Sequence, residues 1–131
     1  MISQICINEI SALPIELAYF KGTQEKGKIT LYWETYSEFN NSHFIVETST
    51  DLITWNKLSD IHSLGNSSTP QNYSYKHDNP IDGINYYRLM QVDYTFGTRV
   101  IGEVIGILYV KPTNKNVFLE YNLLGQKILA N

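Results

Sequence analysis

Several features are absent from this 131-residue chain, and each absence excludes a class of protein. It contains one cysteine, Cys6, so no disulfide can form within the chain, and its redox compartment cannot be inferred from cysteine usage. No apolar run approaches the roughly 20 residues that a membrane-spanning helix needs. Residues Met1–Ile10 also lack the basic start and continuous apolar core of a signal peptide. The sequence therefore predicts neither a disulfide-stapled domain nor a membrane-inserted one.

Charge of one sign is not concentrated anywhere in the chain. The 10 Lys and Arg residues and 13 Asp and Glu residues give a formal net charge of −3. No cluster of Lys or Arg exceeds two within five residues. This spread indicates neither the basic footprint of a nucleic-acid-binding protein nor a patch for anionic lipids. We therefore expect no nucleic acid and no membrane among its partners.

Groups that carry catalysis or hold metals are scattered. The histidines have no His, Cys or carboxylate partner at metal-ligand spacing, so we expect them on the surface or in loops: His43, His62 and His77. The serines form no Gly-x-Ser-x-Gly nucleophile elbow. Three carboxylates alternate with core residues and are expected on solvent faces: Glu34, Glu38 and Glu47. We expect no enzymatic activity, no cofactor and no metal.

What the chain does have is strand-like alternation. After a turn at Gln24–Gly27, the residues Ile29, Leu31 and Trp33 fall on one face with period two, which predicts that Trp33 is buried. In the first strand, Ile15, Leu17 and Tyr19 are expected on one face and Glu16, Ala18 and Phe20 on the other. The expected core consists of Leu17, Trp33, Phe44, Val46, Tyr87 and Leu89.

Turn residues and glycines mark the breaks between these strands. Leu64–Asn72 is a long polar loop and the best candidate for mobility. Gly102 and Gly106 lie within a long strand-like run and indicate a bulge or a close backbone approach. Asp78 and Asp82-Gly83 predict a turn held by Asx hydrogen bonds, with a calcium site as the less favoured alternative.

Five segments resemble one family in the same order and at similar spacing: Leu13–Leu17, Leu31–Thr35, Ser37–Glu47, Tyr73–Tyr75 and Asp78–Asp93. That family is the fibronectin type III-like domain found near the C-terminus of many Bacteroidota secreted and surface proteins. The resemblance implies an all-β fold, an immunoglobulin/fibronectin type III-like antiparallel β-sandwich of about seven strands. Such sandwiches often anchor a tyrosine hydroxyl at the start of the sixth strand, and both Tyr86 and Tyr87 fit.

The expected organisation has three parts. Residues 1–12 are an N-terminal extension, 13–110 the sandwich and 111–131 a short C-terminal β-hairpin turned at Leu124-Gly125. Within the last part, Val117–Leu129 is similar to the internal motif of the C-terminal sorting domain of type IX secretion. These resemblances imply an extracellular or cell-surface location, whereas the missing signal peptide keeps a virion location open.

Exposed aromatic side chains are the expected contact surface. The chain has ten tyrosines and two tryptophans, and we take four of them as the candidate interaction surface: Trp55, Tyr73, Tyr75 and Tyr36. Aromatic side chains anchor protein interfaces, so the preferred function is a non-catalytic structural module that contacts protein partners or copies of itself. Two alternatives stay open. One is a subunit of a large assembly, such as a decoration or spike protein of a phage, and the other is a carbohydrate-binding module that stacks these rings on a glycan.

Overall fold

The computed structural model describes residues 15–95 and 97–112, and within these ranges there are seven strands and no helix. The strands are β1 (Ile15–Glu25), β2 (Lys28–Glu38), β3 (Asn41–Ser49), β4 (Asn56–His62), β5 (Gln71–His77), β6 (Gly83–Asp93) and β7 (Gly97–Tyr109). They form two antiparallel sheets, in the orders β1-β2-β5 and β4-β3-β6-β7. The sheets enclose one apolar core, which confirms the expected sandwich. Residues 1–12 and the expected C-terminal hairpin lie outside the described residues.

The turn between β1 and β2 is a two-residue hairpin. Glu25 pairs with Lys28, and the intervening Lys26 and Gly27 have φ of 51° and 78°. Two consecutive positive φ angles define a type I′ turn, whose twist matches that of the flanking strands. The predicted turn at this place is therefore confirmed, with glycine at one of the two positions that need a left-handed backbone.

The core is built around one tryptophan. Ile29, Leu31 and Trp33 are fully buried on the inner face of β2, as their period-two spacing predicts. The Trp33 ring stacks on Tyr73 of the same sheet, with centroids 5.5 Å apart, and meets Phe44 of the other sheet edge-on at 5.5 Å. Trp33 therefore joins the two sheets. Five of the six expected core residues are fully buried: Trp33, Phe44, Val46, Tyr87 and Leu89.

The alternation predicted for β1 is wrong after Leu17. The pairing of β1 with β2 shifts register on both sides of Leu17, which is a β-bulge. Leu17 remains partly buried against the core, but Phe20 joins it there and lies 6.3 Å from the Trp33 ring. Tyr19 instead lies beside Lys21, whose Nζ is 4.7 Å from the ring centroid. An extra residue in a strand exchanges its two faces, and nothing in the alternation of side chains shows where that residue is.

A second irregularity occurs where β6 pairs with β7. The register shifts between Tyr87 and Leu89, and Gly102 lies in the shifted part of β7 with φ of 70°. A Cβ at Gly102 would lie 2.7 Å from Leu17 Cδ2, closer than side chains normally approach. The bulge predicted from the glycine is thus confirmed at this position, and the close neighbour of Gly102 is the Leu17 side chain, not a second backbone.

The structure selects Tyr87 as the buried tyrosine at the start of β6. Tyr87 is fully buried, and its hydroxyl lies 2.7 Å from Nδ1 of His77 at the end of β5. Burial raises the pKa of the Tyr87 hydroxyl well above its usual range. Tyr86 points to the opposite, outer face of the sheet. The hydroxyl partner is thus the side chain of His77, whereas immunoglobulin-type domains use a backbone group.

Candidate interaction surface

Of the four aromatic residues expected at the surface, only Tyr36 is exposed, with 54% of its surface accessible. Tyr73 is buried, which corrects the expectation for that residue, because it pairs directly opposite Trp33 and shares its inward face. Tyr75 follows two residues later on the same face and is half-buried. Burial raises the pKa of Tyr75, and the nearby Asp78 carboxylate adds to the rise. The alternation of Tyr73, Tyr75 and His77 with polar residues was the signal for this inward face.

Trp55 is half-buried and already has a neighbour. The guanidinium of Arg88 lies over its ring, 4.4 Å from the centroid, and Arg88 Nε donates to Glu47 Oε1 at 2.6 Å. This arrangement combines a cation–π contact with a charge-assisted hydrogen bond. Together with the burial of Tyr73, it means that the four predicted aromatic residues do not form one flat exposed strip.

Glu38, expected on a solvent face, is instead one of the most buried polar residues, with 3% of its surface accessible. Its Oε2 accepts hydrogen bonds from Thr35 Oγ1 at 2.9 Å and from the Tyr73 hydroxyl at 2.5 Å. Its Oε1 accepts from Asn41 Nδ2 at 3.1 Å and from Ser63 Oγ at 2.6 Å. Four donors from four different segments therefore replace the water that a buried carboxylate loses.

This cluster holds the long loop before β5 against the sandwich. The backbone N–H of Glu38 donates to the Ser67 carbonyl at 2.8 Å, and the Ser67 N–H donates back to the Glu38 carbonyl at 2.9 Å. The Leu64 N–H donates to the Tyr73 hydroxyl at 3.0 Å. Burial, and next the hydrogen bond to Glu38, raises the pKa of Tyr73 to about 12. The mobility expected for this loop stays a prediction, but its backbone is anchored at three points.

His43 and His62 are cross-strand partners in β3 and β4, whereas His77 lies in the other sheet. His77 is buried, contrary to the expected surface position, and burial lowers its pKa although the Asp78 carboxylate opposes the shift. His43 lies 3.9 Å from Asp60, and His62 is exposed. Among residues 15–95 and 97–112, no group of three or more His, Cys, Asp or Glu side chains is placed to hold a metal ion.

The turn before β6 is held mainly by Asn85. Its Oδ1 accepts from the Ile81 N–H at 3.0 Å, and its Nδ2 donates to the Ile81 carbonyl at 2.7 Å. The two acidic residues bind separate partners: Asp78 accepts from Lys28 Nζ at 3.0 Å, and Asp82 accepts from the backbone N–H of Lys111 at 2.8 Å. The two carboxylates therefore serve different contacts, and the turn depends on an asparagine that follows it in the sequence.

The outer side of β6 and β7 is the most apolar exposed surface of the sheet. Ile84 pairs with Leu108, and the Tyr86 ring lies over Gly106, where an added Cβ would be 3.1 Å from two ring carbons. Ile84, Leu108 and Val104 are 49%, 62% and 44% exposed. We refer to these residues as the β6–β7 face: Ile84, Tyr86, Val104, Gly106 and Leu108. An aliphatic surface of this kind is a usual contact site for another protein.

No protein-family model matches the sequence, and no curated protein matches it. The fold is similar to that of a β-1,2-glucanase from Parabacteroides distasonis, with a TM-score of 0.50 and 14% sequence identity. The similarity covers 83% of this chain but 15% of the glucanase chain. At this level of identity the similarity shows the sandwich fold alone. Within the described ranges, no helix has the length and hydrophobicity to cross a membrane.

Proposed function

We propose that this protein is a non-catalytic structural module that makes protein–protein contacts in an extracellular or cell-surface assembly. The location rests on the resemblance of residues 13–108 to the fibronectin type III-like domains of secreted Bacteroidota proteins. The contact role is supported by the β6–β7 face, where exposed aliphatic side chains project from the sheet. A rigid scaffold lowers the entropic cost of binding, because its contact residues are ordered before the partner arrives.

The comparison with the glucanase is consistent with a module. The chain spans about 15% of that protein's length, so a sandwich of this shape occurs there as one part of a longer protein. Domains of this kind fold around their own core and meet their neighbours through surface patches. The β6–β7 face supplies such a patch, whereas its ion-paired neighbours Arg88 and Glu47 supply polar contacts beside it.

Site-specific photo-crosslinking tests this function. A photoreactive residue at Leu108, on the β6–β7 face, should form an adduct with another protein chain in cells that produce the protein. The matched control places the same residue at Asn56, which is exposed on β4 at the other edge of the same sheet. Adducts at position 108 and none at 56 support the proposal. Equal yields at both positions, or none at either, contradict it.

A further inference from the structure

A cleft opens at one end of the sandwich, between the β3–β4 turn and the segment that joins β5 to β6. Its volume is about 380 Å³, which is within the range of small-molecule sites. Ser, Thr and Asn account for seven of the ten described residues that line it, and Lys, Arg, Phe, Tyr and Trp are not among those ten. Hydroxyl and amide groups both donate and accept hydrogen bonds. The lining is therefore suited to a ligand with many polar groups.

Both walls of the cleft are held in place by hydrogen bonds made within them. In one wall, Asp51 Oδ1 accepts from the backbone N–H of Thr54 at 2.8 Å and from Ser49 Oγ at 2.9 Å. In the other, the Asn85 amide accepts from the Ile81 N–H at 3.0 Å and donates to the Ile81 carbonyl at 2.7 Å. The remaining polar groups of the lining are thus ordered before a ligand arrives, which lowers the entropic cost of binding.

Several polar groups of the lining are free to bind a ligand. Among the described residues, no hydrogen bond engages Asp51 Oδ2, the Thr54 hydroxyl or the Asn79 amide, and all three residues are exposed. His77 also lines the cleft but is only 9% exposed. Its Nδ1 is bound to the Tyr87 hydroxyl, so its Nε2 is the ring nitrogen left for a ligand. The cleft therefore combines a fixed imidazole with accessible donors and acceptors.

The charge of the lining selects against an anion. The backbone N–H of Thr54 binds the Asp51 carboxylate and lowers its pKa, so Asp51 is negative at neutral pH. Burial lowers the pKa of His77, which keeps the imidazole neutral. An anionic ligand would therefore meet one repulsive charge and no cation in the lining. A divalent cation would find a single carboxylate, and a nucleobase would find no aromatic ring other than the imidazole on which to stack.

We propose that this cleft binds a single uncharged sugar residue. A sugar presents adjacent hydroxyl groups, each of which donates and accepts, and they match the carboxylate, amide and hydroxyl groups of the lining. The Ile81 side chain, which is 60% exposed, supplies an apolar contact for the C–H groups of the ring. The inference goes beyond the proposed contact function, because it concerns the end of the sandwich and not the β6–β7 face.

An NMR titration of the isotope-labelled full chain with D-glucose, D-galactose and D-mannose tests the inference. A ligand of this size in an open cleft should bind with a Kd of about 1–10 mM. At least one hexose should shift the backbone amide signals of residues 50–54 and 79–85, and the corresponding uronate should bind more weakly because of Asp51. Binding of none of the three, or shifts confined to other parts of the chain, overturns the inference. Tighter binding of the uronate overturns the assigned class of ligand.

Two variants locate the site. Asn79→Ala removes a free amide, and Thr54→Val removes a free hydroxyl at nearly constant size, so each should raise the Kd by about three- to tenfold. Asn72→Ala makes the matched change at an exposed position at the other end of β5 and should leave the Kd unchanged. Thermal unfolding verifies that the three variants remain folded. An unchanged Kd in both cleft variants, or an equal loss in the Asn72 variant, overturns the inference.

The methyl glycoside of the hexose that binds distinguishes two sources of the ligand. Equal binding of the glycoside identifies the end of a glycan chain, whereas loss of binding identifies the free sugar. A chain that binds no hexose but still crosslinks another protein through position 108 keeps the contact function and loses only this inference.

Discussion

At the scale of single residues, Glu38 is the centre of a buried hydrogen-bond network. A buried carboxylate without a cation would be unstable, because transfer from water is costly. Here four side-chain donors, from Thr35, Asn41, Ser63 and Tyr73, satisfy both oxygens. These donors come from β2, β3, β5 and the loop before β5. The carboxylate therefore organises one end of the sandwich.

Glu38→Gln tests this role. An amide has one oxygen, so its NH2 group would face two of the four hydrogen-bond donors. We expect a loss of about 1–3 kcal/mol in the free energy of unfolding, since buried groups would be left unsatisfied. Glu34→Gln makes the same change at a half-buried position of the same strand and should alter stability by no more than about 0.5 kcal/mol. Chemical denaturation of both variants measures the difference. Equal effects would show that the Glu38 hydrogen bonds contribute little.

The burial of Glu38 could not be predicted from its place in the sequence. Period-two alternation around Trp33 and Thr35 assigns residue 38 to the outer face, and along a regular strand that assignment would hold. The pairing of β1 with β2 skips Tyr36, so the two faces of β2 exchange before Glu38, which lies opposite the buried Ile15. The donors that then bind its carboxylate lie up to 35 residues away. Contacts of that range depend on tertiary structure. For Tyr73, by contrast, the alternation with Asn72 and Ser74 did carry the signal.

At the scale of elements, the β7 bulge could be predicted from a glycine, whereas the β1 bulge could not be predicted from the sequence. Gly102 within a long strand indicated the β7 bulge because a left-handed residue interrupts regular pairing. The β1 bulge at Leu17 contains no glycine, so no residue in the sequence indicates it. The two bulges meet in space, since the missing side chain of Gly102 makes room for Leu17. Each strand thus depends on the irregularity of the other.

Gly102→Ala should therefore destabilise the fold for two reasons. A left-handed backbone costs a non-glycine residue about 1–2 kcal/mol, and the new methyl group would also collide with Leu17. Gly65→Ala is the matched control, because Gly65 also has a positive φ but has no atom within 4 Å of the added carbon. Thermal or chemical unfolding should show a larger loss at Gly102. Equal losses would mean that Leu17 moves aside and that the close approach is not a constraint.

At the scale of the whole molecule, the sequence predicted the architecture better than the surface. Strand number and the inward faces of β2, β3 and β6 follow from alternation and turn residues, which act locally. Which aromatic residues remain exposed depends on how the sheets meet. The apolar β6–β7 face was not anticipated for that reason, because Ile84, Val104 and Leu108 resemble core residues in the sequence.

The cohesion of the two sheets depends most on Trp33. It is fully buried, stacks on Tyr73 within its own sheet and meets Phe44 across the core. Trp33→Ala should cost about 3–5 kcal/mol, because it removes that contact and leaves a cavity. Since domains of this size are stable by about 5–15 kcal/mol, the variant should be largely unfolded or close to it. Tyr36→Ala, at an exposed site on the same strand, should change stability by no more than about 0.5 kcal/mol. A loss below about 1 kcal/mol at Trp33 would contradict this account of how the sheets are joined.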